Sequence, residues 1–204
     1  MDSLDIAPAT LERFHRDLDR VHALLGTFGT LERFLRQDDQ PIRKVMDIGC
    51  GGGALLRHLK RRMKVEIVGI ERTPPPHADF PCIAADACRD PLPEADVAIT
   101  SFVAHHLTPE ENIALIRNVG RSCRRFVILD LIRHPLPLAL FSIFIGPLLG
   151  HEAAADGRQS IRRAFTPAEF SEIVARAVGG SRATFVSHVP LFRTRQIIDI
   201  RFGD

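Results

Sequence analysis

Apolar positions along this chain recur with two periods, and the way the periods alternate is what first indicates an architecture. Short apolar runs at Lys44-Val45-Met46-Asp47-Ile48, Val65-Glu66-Ile67-Val68-Gly69-Ile70-Glu71, Cys82-Ile83-Ala84-Ala85, Val97-Ala98-Ile99-Thr100 and Phe126-Val127-Ile128-Leu129 have the character of buried strands. Between them lie stretches with helical spacing. Leu55, Leu56 and Leu59 follow the opening run. Residues 109–119 begin at Thr108-Pro109-Glu110-Glu111, which offers a cap, a proline at the first helical position and acids in the first turn. Thr166-Pro167-Ala168-Glu169-Phe170 is a capping box with the same proline. Strands alternating with helices predict a parallel α/β sheet covered on both faces.

The two ends of the chain depart from this alternation. Residues 9–38 predict one long helix or two short ones. Leu11, Phe14, Leu18, Val21, Leu24 and Leu25 keep helical spacing, Gly26-Thr27-Phe28-Gly29 interrupts it, and Leu31, Phe34 and Leu35 resume it. Residues 1–40 are therefore expected to form a helical arm on a domain spanning 41–204, with His15 and His22 on its surface. Near the other end, 183–189 and 193–201 alternate as strands do, and Pro190 turns the chain between them into an edge hairpin. The run from His134 to Gly150 is the most apolar in the chain, yet too short and too broken by prolines to span a membrane. It predicts a wall of a substrate pocket, a core helix against the sheet, or a peripheral membrane contact. The polar stretch 151–165 reads as a mobile insertion, so 133–165 is expected to stand on the substrate side of the domain.

Candidate chemistry begins where the first strand meets the glycines. Gly49-Cys50-Gly51-Gly52-Gly53 follows Asp47-Ile48 and precedes a helix. Glycines accept backbone angles that a Cβ forbids and let a ligand lie against the main chain. The spacing Gly49-x-Gly51-x-x-Ala54 also fits a dinucleotide fingerprint. Asp47 argues against that ligand. A pyrophosphate sits on the free N–H groups of the helix N-terminus and would be repelled by a carboxylate so close, whereas an ammonium group would be attracted. Glu71, about twenty residues past the turn, ends the second strand where a carboxylate can accept both hydroxyls of a ribose.

The stretch Asp47-Ile48-Gly49-Cys50-Gly51-Gly52-Gly53 resembles motif I of the class I S-adenosylmethionine-dependent methyltransferases, an apolar strand followed by Asp/Glu-x-Gly-x-Gly-x-Gly. The likeness covers residues 43–130 firmly and the remainder loosely. It implies a Rossmann-like three-layer sandwich with a seven-stranded, mostly parallel sheet and an antiparallel C-terminal strand, which the hairpin would supply. It also implies S-adenosylmethionine as cofactor, with Asp47, Gly49, Cys50, Gly51, Gly53, Glu71 and Arg72 around it. Asp86 would take the adenine amino group, the Ala87 backbone N–H a ring nitrogen, and Ser101 would close the site at the end of the fourth strand.

Ligands of open parallel sheets bind at the carboxyl ends of the strands, beside the switch in strand order. That places Phe102-Val103-Ala104-His105-His106 where substrate meets cofactor. Methyl transfer to a hydroxyl needs in-line positioning and a base, and histidine titrates near neutrality. A His-His pair at this point recurs among the methyltransferases of small hydroxylated molecules. His105 is the expected base and His106 an orienting or buried neighbour. Asp130, ending the fifth strand, would orient the His105 imidazole and stabilise its protonated form. Phe102, His134, Phe141, Arg162 and Arg163 are expected on the substrate side, the arginines toward a carboxylate or oxyanion. The phrase from Asp156 to Glu169 looks like small methyltransferases of secondary-metabolite and ubiquinone-like pathways. The implied acceptor is a small, apolar or aromatic molecule carrying a phenolic, enolic or polyketide hydroxyl.

Composition narrows the picture little. A net charge of +2 over 204 residues calls for neither nucleic acid nor an acidic membrane. Basic clusters at Lys60-Arg61-Arg62-x-Lys64 and Arg121-x-x-Arg124-Arg125 keep RNA or protein methylation open, although no Asn/Asp-Pro-Pro-Tyr pattern ends the fourth strand. An NAD-dependent oxidoreductase and a non-catalytic cofactor-binding module also remain compatible with a glycine turn of this kind. Cys50, Cys82, Cys88 and Cys123 show no C-x-x-C spacing, which predicts a reducing cytoplasm and no metal. The N-terminus lacks the pattern of a signal peptide. All 13 aromatics are Phe, which leaves only weak ring faces for a quaternary ammonium. A monomer or homodimer is expected.

Overall fold

The computed structural model describes residues 26–190 and 194–203. Its elements run α1 (Thr27–Arg36), β1 (Lys44–Ile48), α2 (Ala54–Met63), β2 (Glu66–Glu71), β3 (Cys82–Ala84) and β4 (Val97–Ser101). They continue through a 3₁₀ turn at Ala104–His106, α3 (Pro109–Val119), β5 (Arg125–Leu131), α4 (Pro135–Leu140), α5 (His151–Arg163), α6 (Pro167–Val178), β6 (Thr184–His188) and β7 (Arg195–Arg201). The seven strands form one sheet in the order β3-β2-β1-β4-β5-β7-β6. Strands β1 to β5 run parallel to one another, while β7 runs antiparallel to both β5 and β6. The expected Rossmann-like sheet with an antiparallel C-terminal strand is therefore what the chain adopts.

Because side chains alternate across a strand, the apolar runs feed two cores. Met46, Ile48, Val68, Ile70, Phe126, Ile128, Ile198 and Ile200 face one way and bury Ile116, Val119, Phe170 and Val174 of α3 and α6. Val45, Ile67, Val97, Ile99, Val127, Leu129 and Ile197 face the other way and bury Leu31 and Leu35 of α1 with Leu55, Leu56 and Leu59 of α2. The predicted capping box of Thr166 with Glu169 is formed, and the predicted cap at Thr108 is one as well, with Glu111 as its partner.

Some expectations change. Helix α1 starts at Thr27, because Gly26 alone takes the left-handed conformation (φ 64°) and Gly29 lies inside the helix. Residues 9–25 of the expected arm, with His15 and His22, lie outside the described residues. The stretch from 151 is a helix rather than a mobile insertion. Its sequence is polar, but Ala154, Ser160, Ile161 and Ala164 fall on one buried face. Gly157 inside α5 receives the Phe141 ring, since a Cβ there would stand 2.3 Å from Phe141 Cζ. The apolar run before it is not a core helix. After α4 it becomes a π turn at Phe141–Ile145 and a 3₁₀ turn at Gly146–Leu148, leaving Ile143 64%, Phe144 65% and Leu148 76% exposed. No helix of the described residues is long and apolar enough to cross a membrane.

The first basic cluster stays exposed, whereas Arg124 and Arg125 of the second are held in ion pairs. Lys60, Arg61 and Arg62 occupy the last turn of α2, where cations suit the helix dipole. Arg124 binds Asp38, and the buried Arg125 binds Asp38 through Nη1 (2.9 Å) and Asp199 through Nε and Nη2 (both 2.8 Å). Arg125 also donates to the Phe34 carbonyl, so one guanidinium joins α1, β5 and β7. Arg125→Ala should lower the unfolding free energy by about 3–5 kcal/mol, because it leaves Asp199 without its guanidinium and Asp38 with Arg124 alone. Urea denaturation with an unchanged m-value is the check; a loss under about 1 kcal/mol would mean solvent replaces the guanidinium.

Candidate active site

The carboxyl ends of β1, β2, β3 and β4 meet at one edge of the sheet, and the strand order reverses between β1 and β4. The glycine turn fills that edge above β1. Gly49, Gly51 and Gly53 all have positive φ, at 70°, 48° and 77°. Two of them also lack room: a Cβ on Gly49 would lie 2.5 Å from Val103 Cγ2, and one on Gly53 would lie 2.1 Å from the Phe80 ring. Gly51 differs, since a Cβ there would meet nothing within 4 Å. Its backbone is open to an incoming ligand. The turn is tied down by the Gly49 N–H to Ile70 O (2.8 Å) and by the Gly51 N–H to Glu71 Oε2 (3.1 Å).

Beneath the turn sits Asp47, buried to 2% exposure, with Oδ1 lacking any hydrogen-bond partner. Burial pushes its carboxyl well above the usual range, and the Glu71 charge adds to the effect. Glu71 is half-buried and accepts from Gly51 and from the Arg72 N–H, which leaves lone pairs for further donors. Asp86 stands past the end of β3. Burial would raise its carboxyl, but the Cys88 N–H and the Arg72 guanidinium outweigh it and hold the group below the ordinary value. Asp86 Oδ1 caps Cys88 and Oδ2 meets Arg72 at 3.3 Å, so this acid has a local structural task as well. Ala87 is buried beside it. Ser101 ends β4, across from Leu129.

Phe102 follows with φ 59°, one of two described non-glycine residues in the left-handed region. Such strain on a bulky residue persists only where its surroundings enforce it. The 3₁₀ turn comes next. His105 donates its backbone N–H to Asp130 Oδ2 (2.8 Å), and its ring Nδ1 lies 2.7 Å from Asp130 Oδ1. Both side chains are 3% exposed. His105 Nε2 is buried and has no hydrogen-bond partner. The two histidines exchange the positions expected of them in one respect: His105 is the buried one and His106 is exposed. The two rings pack at 4.0 Å between centroids, and His105 is the one that bonds to Asp130 of β5. The crowding around the His106 ring and the adjacent His105 push its imidazole down to about 4.

Two amides that no sequence pattern marks complete the site. Asn112 of α3, fully buried, donates to the carbonyls of Ala104 (3.0 Å), Leu107 (3.3 Å) and Thr108 (3.1 Å), which pins the histidine turn. Gln196 of β7 lies across from Asp130. Its Nε2 binds the carbonyls of Leu131 and Phe165, while its buried Oε1 has no partner.

The structure gives the remaining substrate-side residues local roles. His134 is the N-cap of α4 and accepts from the Leu136 N–H (3.1 Å). Phe141 packs on Gly157. Arg162 and Arg163 stand exposed on the last turn of α5, where positive charge suits the helix end.

Residues 46–128 match the model of a family described as "Methyltransferase domain". A curated relative, the carboxy-S-adenosyl-L-methionine synthase of Erwinia tasmaniensis, is 24% identical over 136 residues, covering 59% of this chain and 53% of its own length. The chain thus spans about half the length of that relative. Among solved structures, the plantazolicin methyltransferase BamL, in complex with a triazolic desmethylplantazolicin analogue and SAH, aligns with a TM-score of 0.75 at 14% identity, over 96% of this chain and 91% of that one. Human N-acetylserotonin methyltransferase in complex with SAM aligns with a TM-score of 0.68 at 18% identity, over 97% of this chain and 57% of that one. These likenesses agree with the fold described above.

The buried Asp47 carboxyl carries a pH signature. Its raised value means that the folded protein keeps a proton which the unfolded chain loses above about 3.8. Stability attributable to this group therefore falls as pH rises from that point toward the raised value. Asp47→Asn removes the effect, so its melting temperature relative to wild type should climb between about pH 5 and pH 8, by about 2–4 °C for each kcal/mol. A difference that is flat with pH in thermal melts would refute the raised carboxyl.

Proposed function

We propose that this chain, whose residues 46–128 match the methyltransferase-domain family model, transfers the methyl group of S-adenosylmethionine to a hydroxyl of a small, apolar or aromatic acceptor. One observation carries the reading. The crevice between β1 and β4 has an acid-led glycine turn on one side and, on the other, a histidine held twice by a buried carboxylate.

The residues present suit the cofactor. The positive-φ turn with open space at Gly51 gives a backbone cradle, and the unpartnered Asp47 oxygen offers an acceptor for a cationic amino group. Glu71 would hold the ribose hydroxyls, and Asp86 with the Ala87 backbone the adenine. Gly49, Cys50, Gly53, Arg72 and Ser101 complete the cradle. When bound, the cofactor supplies a methyl group on a cationic sulfur.

The chain's own groups then handle position and protons. With its Nδ1–H donated to Asp130, His105 presents Nε2 as the lone pair, suited to taking the proton of an acceptor hydroxyl as the oxygen attacks. Asp130 fixes that tautomer and stabilises the imidazolium that forms. Asn112 keeps the turn in place. His106, pushed down to about 4, is also unprotonated at neutral pH, and its exposure suits contact with the acceptor more than burial of charge. Phe102 and Phe141 would supply apolar surface.

Calorimetric titration with S-adenosylmethionine, its demethylated product and NADH tests the cofactor. Micromolar binding of the first two, weakened at least about tenfold by Asp47→Ala, is expected. Binding of NADH alone would overturn the reading. With a phenol or enol acceptor found by screening, Asp130→Asn should lower kcat by about two orders of magnitude or more while leaving cofactor affinity within about twofold. His105→Ala should lower kcat as far, and His106→Ala less. The reverse order would make His106 the base, with the acid limb of the rate profile near 4.

A further inference from the structure

Cys50 lies inside the glycine turn and Cys82 begins β3, 32 positions later in the chain, yet their sulfurs are 3.7 Å apart. The contact has a structural cause. Asp47, Gly69 and Cys82 occupy one cross-strand row of β1, β2 and β3, and Gly69 is the row's centre. A Cβ on Gly69 would stand 2.5 Å from Cys50 Sγ, so the missing side chain is what admits this sulfur over β2 toward Cys82. Cys50 is 8% exposed, whereas Cys82 is only half-buried and sits on the edge strand. The other thiols, Cys88 and Cys123, have no sulfur partner among the described residues.

We propose that Cys50 and Cys82 form an oxidisable dithiol site, closing to an intramolecular disulfide that distorts the glycine turn and weakens cofactor binding. The bond itself stands on the two sulfurs; its effect on binding rests on the function proposed above. The chemistry is thiol–disulfide exchange with a small disulfide of the glutathione class. Cys82, the accessible thiol, loses its proton and attacks one sulfur of the reagent, releasing one thiol and leaving a mixed disulfide. Cys50 then loses its proton and attacks Cys82 Sγ, releasing the second thiol. The protein gives up two electrons and two protons, and the reagent is reduced to two thiols.

Closure must shorten the sulfur separation from 3.7 Å to about 2.05 Å. Cys50 is flanked by Gly49 and Gly51, both in left-handed conformations, and the Gly51 N–H is bonded to Glu71. Drawing Cys50 toward β3 therefore moves the backbone donor and the acid that the cofactor would meet. Burial holds both thiols above their usual range. Asp47 of β1 and Glu71 of β2 add to this at each sulfur, although the Cys50 contact opposes it at Cys82. The exchange is accordingly slow at pH 7, and its rate should rise about tenfold per pH unit toward pH 9.

The test incubates the full chain with oxidised glutathione, removes the reagent, and combines intact mass and peptide mapping with titration of S-adenosylhomocysteine. Wild type should lose the mass of two hydrogens at a Cys50–Cys82 link and bind S-adenosylhomocysteine at least about tenfold more weakly, with recovery after dithiothreitol. Cys82→Ser and Cys82→Ala should form no link and bind equally with and without the oxidant. A persistent glutathione adduct on Cys82 of wild type, or four thiols untouched after incubation at pH 9, overturns the dithiol site. A formed link with unchanged affinity overturns its effect on the turn. Should the reduced protein fail to bind S-adenosylhomocysteine, the cofactor reading falls, while the mass measurement still decides whether the sulfurs pair.

Discussion

The absence of side-chain volume at Gly49 and Gly53 is the constraint on which the site depends. Val103 fills the space at the first and the Phe80 ring the space at the second. The turn is therefore wedged between the end of β4 and the irregular connection that leads into β3. Positive φ at three glycines lets the backbone reverse fast enough for α2 to begin at Ala54 while the turn still reaches Ile70 and Glu71. Were the turn wider, it would lose its contact with Val103 past the end of β4. The spacing between the glycine cradle and the histidine turn is thus fixed by contact rather than by loop length.

On the far side of the crevice the ordering principle is polar. Asp130 accepts three hydrogen bonds, from the His105 ring and backbone and from the Leu131 N–H, in a place that water does not reach. A buried carboxylate with that many donors is held in one orientation, and it holds His105 in turn. Asn112 does the same for the backbone of the turn. What is left over is specific: a ring nitrogen on His105 and amide oxygens on Asn112 and Gln196, all buried and without a partner. Buried polar atoms in native structures are nearly all paired, so these three stand out on this side of the crevice.

The sheet, the glycine turn and the capped helices were legible because each rests on a local signal, whether an apolar run, a glycine spacing or a cap. The Asp130 contact to His105 was legible as well, since strand order places the ends of β4 and β5 side by side. Other features depend on tertiary packing. The polar composition of α5 hides its buried face, and Gly157, a weak helix former, is there to receive Phe141. The burial of His105 and exposure of His106 follow from the twist of one 3₁₀ turn. Asn112 and Gln196 act through single amides on otherwise ordinary elements, so neither spacing nor composition marks them. The apolar run left a pocket wall, a core helix and a peripheral membrane contact open, and the π and 3₁₀ turns that end it leave Ile143, Phe144 and Leu148 outward.

The place of β7 has a consequence for how the molecule is assembled. It follows every other described element in the chain, yet it lies inside the sheet, between β5 and β6. Until it docks, β5 presents an unpaired edge, Arg125 lacks Asp199, and Asp130 lacks its cross-strand neighbour. On a ribosome the glycine turn and its two flanking strands emerge long before that moment. The glycine turn is built wholly from segments made before β7, whereas the sheet beside Asp130 is closed only by it.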